Sequence, residues 1–132
     1  SDSLSPLQKS PDAVTLENAR NIRLKDVEIV WSTPISEAWK SALVVENVQG
    51  LTLEGVSACQ APNGTDAPAI LLKGVKDGVV KGCRAQEGTG AFLEFSGKET
   101  RDVVLWGNDT RAAQEAERIS VEVDEGQVRQ GW

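Results

Sequence analysis

Four stretches of this chain repeat one pattern, and that repeat limits the available folds more than any other feature. They read AVTLENARNIRLKDVEI (13–29), ALVVENVQGLTLEGVSA (42–58), AILLKGVKDGVVKGCRA (69–85) and FLEFSGKETRDVVLWGNDT (92–110). The first three align without a gap. The fourth carries two extra residues near Lys98 and Glu99. Each stretch holds two short alternating runs rich in Val, Ile, Leu and Thr, which is the strand pattern. Aligned bends fall at Asn21, Gly50, Asp77 and Asp102, and the second runs end at Asp26, Gly55, Gly82 and Gly107. Such residues tolerate a sharp change of backbone direction. The bends recur every 25 to 29 residues, a spacing in the solenoid range.

The apolar columns sharpen this. Val14, Leu43, Ile70 and Leu93 align, as do Leu16, Val45, Leu72 and Phe95. Ala19, Val48, Val75 and Thr100 form a third column, Leu24, Leu53, Val80 and Leu105 a fourth, and Val27, Val56 and Cys83 a fifth. Polar columns lie between them: Glu17, Glu46, Lys73 and Ser96, and then Lys25, Glu54, Lys81 and Trp106. Alternation that recurs rung by rung fits stacked coils whose strands pair in parallel, about 4.8 Å apart. The pattern predicts an all-β parallel β-helix of about four coils. A leucine-rich repeat would need helical connectors, but VWSTPISEAWKS (30–41), CQAPNGTDAP (59–68) and QEGTGA (86–91) carry Pro, Gly, Asn and Thr. A β-sandwich ranks second, since it gives no reason for matched columns at a fixed repeat.

The expected organisation is an N-terminal extension (1–12), coils at 13–41, 42–68, 69–91 and 92–110, and a C-terminal capping segment (111–132). RAAQEAER (111–118) has helical composition and ISVEV (119–123) reads as a final strand. Residues 1–12 have no strong apolar pattern, so the first coil is expected to present an open edge through which the chain could self-associate.

Composition removes much chemistry. The 132 residues include no His, so no Ser/His/Asp or Cys/His system and no imidazole ligand lies within the chain. A net charge of −6 argues against nucleic acid or an anionic membrane surface as the main partner. No apolar run approaches the roughly 20 residues of a membrane span, and the start of the chain does not read as a signal peptide. Cys59 and Cys83 are out of register and are expected to remain unbridged, with Cys83 a small buried hydrophobe. No metal site or cofactor is expected; Asn63 and Asp66 supply too few oxygens for calcium.

These repeats resemble the right-handed parallel β-helix of the pectate-lyase-like superfamily. More narrowly, NIRLKDVEIVW, the run from WKSALVVENVQG to VVKGCRA, GTGAFLEFSG and VVLWGND look like the closing coils of bacterial proteins similar to glycoside hydrolase family 28. The resemblance covers most of residues 13–110. It implies a secreted or periplasmic parent protein that acts on, or binds, a pectin-type polysaccharide. The family's Asn-Thr-Asp, Asp-Asp, Gly-His-Gly and Arg-Ile-Lys signatures are all absent from this chain. No catalytic residue carries over, and the chain reads as a non-catalytic module that supports its parent and supplies a carbohydrate subsite.

Two other functions remain open at this level. A small glycosidase or lyase could use carboxylates across coils, with Glu17 and Glu46, Asp26 and Glu28, or Asp77 and Asp102 as pairs. The plainer reading is a solvated acidic face and turn residues. A stand-alone binding or assembly module would instead use exposed Trp faces or the open first coil. For an oligosaccharide partner the candidates are Trp31 and Trp106 as stacking faces, with Arg23 and Glu54 beside them. The plainer reading of Trp31 and Trp39 is that they pin the long connector to the outer wall. The Asn63 and Asn108 sequons carry little weight in a bacterial chain.

Overall fold

The computed structural model describes residues 14–29, 40–60 and 67–131. Within them the chain is nearly all strand and forms a parallel β-solenoid of about four turns. Strands β1 (Val14–Lys25), β2 (Leu43–Glu54) and β4 (Pro68–Lys81) stack in order. β6 (Ala91–Ser96) and β7 (Arg101–Trp106) together form the next rung. β8 (Glu115–Ile119) lies on β6 and β9 (Val128–Gly131) on β7. Two short strands, β3 (Ser57–Ala58) and β5 (Arg84–Ala85), build a third side, extended by bridges at Glu28 and Asp109. Every ladder is parallel.

The register reproduces the sequence columns. Val14 pairs with Leu43, Leu43 with Ile70, and Ile70 with Leu93. Leu24, Leu53, Val80 and Leu105 stack in the same way. Their side chains fill the interior: Leu43, Leu53, Ile70, Leu72 and Val80 are fully buried. Burial of each such side chain is worth roughly 1.5–3 kcal/mol. Phe92 and Phe95 are the largest buried groups. In the first coil the corresponding Val14, Leu16, Ala19, Ile22 and Leu24 are only half-buried, because a coil in this stack is covered from both sides only when it has a neighbour on each.

Corners occur where the backbone enters the left-handed region. Asn21, Gly50, Asp77 and Asp102 all have positive φ, and so do Asp26, Gly55, Gly82 and Gly107. A third corner column, not read from the sequence, joins Asn18, Asn47, Gly74 and Gly97. Asn47 Nδ2 donates to Asn18 Oδ1 at 2.7 Å, so the side chains ladder along with the backbone. Two corners three residues apart turn each long strand from a first face to a second.

The two extra residues of the fourth repeat form a turn in which Thr100 N donates to Gly97 O at 3.0 Å. That turn splits the rung into β6 and β7. Thr100 sits buried in an otherwise apolar column, and its hydroxyl is satisfied. It donates to Ser96 O at 2.7 Å and accepts from the amides of Gly74 and Val75 at 2.9 and 3.2 Å.

The closing segment differs from expectation. Residues 111–114 are turn and bend, and 115–119 are a strand rather than a helix. Of 119–123 only Ile119 is strand; Val123 N donates to Ser120 O in a turn. An eight-residue stretch is too short to hold a helix on propensity alone, whereas the free edge of β6 offers a full ladder of hydrogen bonds. The cap is therefore a fifth, shortened coil. No α-helix occurs among the described residues. The expectations for residues 1–12, Trp31, Trp39, Asn63 and Asp66 fall outside them.

Candidate carbohydrate-binding face

The outward positions of the second face run in columns set by the ladder. Lys25, Glu54, Lys81 and Trp106 form one. Arg23, Thr52, Val79, Val104 and Arg129 form the next. Arg20, Gln49, Lys76 and Arg101 follow on the segment between the two corners. Period-two alternation puts these side chains outside because their neighbours fill the core. Seven cations thus share this side of the solenoid, half of the 14 Lys and Arg in the chain. The first face carries Glu17, Glu46 and Glu94 in its outward columns, with Lys73 and Arg118. A chain of net charge −6 therefore has a cationic side.

Three of the four expected binding residues come together here. Arg23 Nη2 lies 3.3 Å from Glu54 Oε1, and Lys81 Nζ lies 3.9 Å from the same oxygen. All three side chains keep contact with solvent, so these pairs add at most about 1 kcal/mol of stability. Trp106 is two rungs from Glu54, about 9.6 Å along the stack, and is 52% exposed. Trp31 lies outside the described residues. Lys76, Arg101 and Arg129 were missed as a group: each is ordinary in sequence, and only the register puts them on one side.

Carboxylates for hydrolysis are placed less favourably. Glu17 and Glu46 do stand on adjacent rungs. Asp77 and Asp102 adjoin as well, but both are corner residues with positive φ. Asp26 is a corner residue too. Glu28 belongs to the third side, where Glu28, Ser57, Arg84 and Asp109 stack along a shallow groove. There Arg111 holds Asp109 by two hydrogen bonds of 3.0 Å. Those bonds pull the Asp109 carboxyl down to about 2.

Cys59 and Cys83 form no disulfide. Burial raises the pKa of both, which keeps them protonated and poorly nucleophilic. Cys83 lies in the inward column beneath Val56 as expected, and its amide donates to Asn108 Oδ1 at 2.9 Å. Among the described residues no group of three or more His, Cys, Asp or Glu could hold a metal ion.

Searches against protein families, curated proteins and solved structures found no match to this chain. The class of protein is therefore defined by its fold, a parallel β-solenoid.

Proposed function

We propose that the chain is a non-catalytic β-helix module. It forms the closing coils of a polysaccharide-acting protein similar to glycoside hydrolase family 28, supports the coils it stacks on, and contributes a subsite for a pectin-type polysaccharide. The observation that carries this reading is the second face. Arg23, Lys81, Lys76 and Arg101 offer cations to the carboxylates of a polyuronate, and the exposed Trp106 indole offers an apolar platform to a sugar ring. The absence of catalysis is argued from chemistry. Among the described residues, the one carboxylate in the outward strand columns of that face, Glu54, is already engaged by Arg23 and Lys81. The nearby Asp77 and Asp102 serve as positive-φ corner residues, which argues against a pair sharing acid and base roles.

The test is affinity electrophoresis and calorimetry with polygalacturonate, with a neutral glucan for comparison. The protein is expected to be retarded by polygalacturonate, more weakly as salt rises. Lys81→Ala combined with Arg101→Ala should lower affinity at least tenfold, and Trp106→Ala by about tenfold, the size of an aromatic contact. No reducing ends should appear. Indifference to every polysaccharide tried would end the binding reading, and hydrolysis abolished at Glu54→Gln would end the non-catalytic one.

A further inference from the structure

The fifth coil keeps apolar residues at Ile119 and Val128 but breaks the repeat at two other inward positions. Register places Glu117 on Leu93 and Gln130 on Leu105. Where the fourth coil carries two leucines, the fifth carries a carboxylate and an amide. Gln130 Nε2 donates to Glu117 Oε2 at 3.1 Å, so the two meet across the end of the solenoid. On the third side, the described rungs end at Asp109, which leaves the fifth coil open. The result is a cavity of about 390 Å3 lined by Leu93, Leu105, Trp106, Asn108, Glu117 and Gln130.

We propose that this cavity binds one neutral pyranose ring, either a free monosaccharide or the end unit of a glycan. The inference rests on the carbohydrate reading above and shares Trp106 with it, but adds Glu117 and Gln130, which the cationic face does not use. A pyranose has an apolar C–H face and a rim of hydroxyls. The exposed Trp106 supplies the apolar face for the ring, and the buried Leu93 and Leu105 form the inner wall behind Glu117 and Gln130. The Glu117 carboxylate has lone pairs beyond those taken by Gln130, and the Gln130 carbonyl oxygen adds another acceptor. Asn108 takes no part in recognition: its amide donates to Val80 O and its oxygen accepts from Cys83 N, both at 2.9 Å. The volume lies near the lower end for small-molecule sites, which suits one ring rather than a polymer segment. A fixed carboxylate in the wall repels a uronate, so the site selects neutral sugars while the cationic face selects charged ones.

The test is amide and indole NMR of the whole chain, titrated with glucose, galactose, mannose and galacturonate. At least one neutral hexose should shift the Trp106 indole and the Glu117 and Gln130 amides, with a dissociation constant on the order of 1–10 mM. Galacturonate should bind more weakly. Glu117→Ala and Gln130→Ala should each weaken the hexose at least tenfold, whereas Lys98→Ala, in the exposed turn, should not. Glu117→Gln should narrow the gap between hexose and galacturonate, which a merely structural role would not do. A matching oligosaccharide binding no tighter than the monosaccharide supports capture of an end unit by one ring; affinity that grows with chain length overturns the one-ring site. Absence of shifts at these three residues, or shifts unaffected by Glu117→Ala, overturns the proposal. If polygalacturonate still binds in that case, the module reading stands and only the cavity is wrong. Concentration-dependent dimers that disappear in Glu117→Ala would show the cavity filled by a second copy, which also overturns it.

Discussion

At Gly97 the backbone has φ +85°, and an added Cβ would lie 2.8 Å from Gly74 N in the rung beside it. That nitrogen is backbone and has no side-chain freedom to swing away. The left-handed conformation alone costs a non-glycine residue about 1–2 kcal/mol, and the clash adds to it. Gly97→Ala is therefore expected to destabilise the protein by at least that amount, read from the midpoint of urea unfolding. The neighbouring corner column contains Asp77 and Asp102, short polar residues that tolerate the same region. Asp109 illustrates the electrostatic side of a single residue. Its folded pKa of about 2 lies below the ordinary value of 3.8, chiefly through the Arg111 side-chain hydrogen bonds. Because the folded value is the lower one, the stabilisation is present above pH 3.8 and fades as pH falls toward 2. The pair is exposed, so the effect is screened by salt. Carbon-detected NMR should find the Asp109 midpoint near 2, returning toward 3.8 in Arg111→Ala.

Among the elements, β1 and β2 have the same length and the same columns but differ in what covers them. Leu24 is half-buried and Leu53 fully buried, although the two stack directly. Leu53→Ala leaves a void walled on both sides and should cost about 2–5 kcal/mol. Leu24→Ala should cost less than half as much, because its site is open on one side. Denaturant unfolding of the two variants compares them directly, and equal losses would mean that the first coil is covered in solution. These strands were legible in the sequence because period-two alternation survives in them unbroken. The fifth rung was not. Glu117 and Gln130 replace leucines at inward positions, and residues 120–127 interrupt the alternation. Those polar residues also discourage a further coil from stacking on this end, as inward-pointing charges do on other sheet edges.

For the whole molecule, the ladder converts a sequence with mixed charges into a solenoid with unlike sides and unlike ends. One side carries Arg20, Arg23, Lys76, Lys81 and Arg101, while another carries Glu17, Glu46 and Glu94. One end of the described stack is apolar, at Val14, Leu16 and Ile22; the other is polar, at Glu117 and Gln130. By itself the sequence determined the fold class, the register of the first four rungs and two of the three corner columns. Each follows from local rules: alternation sets the faces, and Asn, Asp or Gly permits the turn. Tertiary structure alone decided the third corner, the strand at 115–119, the gathering of cations on one side and the cavity at the end. These depend on which residues stand on adjacent rungs some 25 positions apart, and on an unpaired edge that draws a helix-prone segment into the sheet. No window of sequence holds that information, because pairing across the stack supplies the hydrogen bonds and the neighbours that choose between the alternatives.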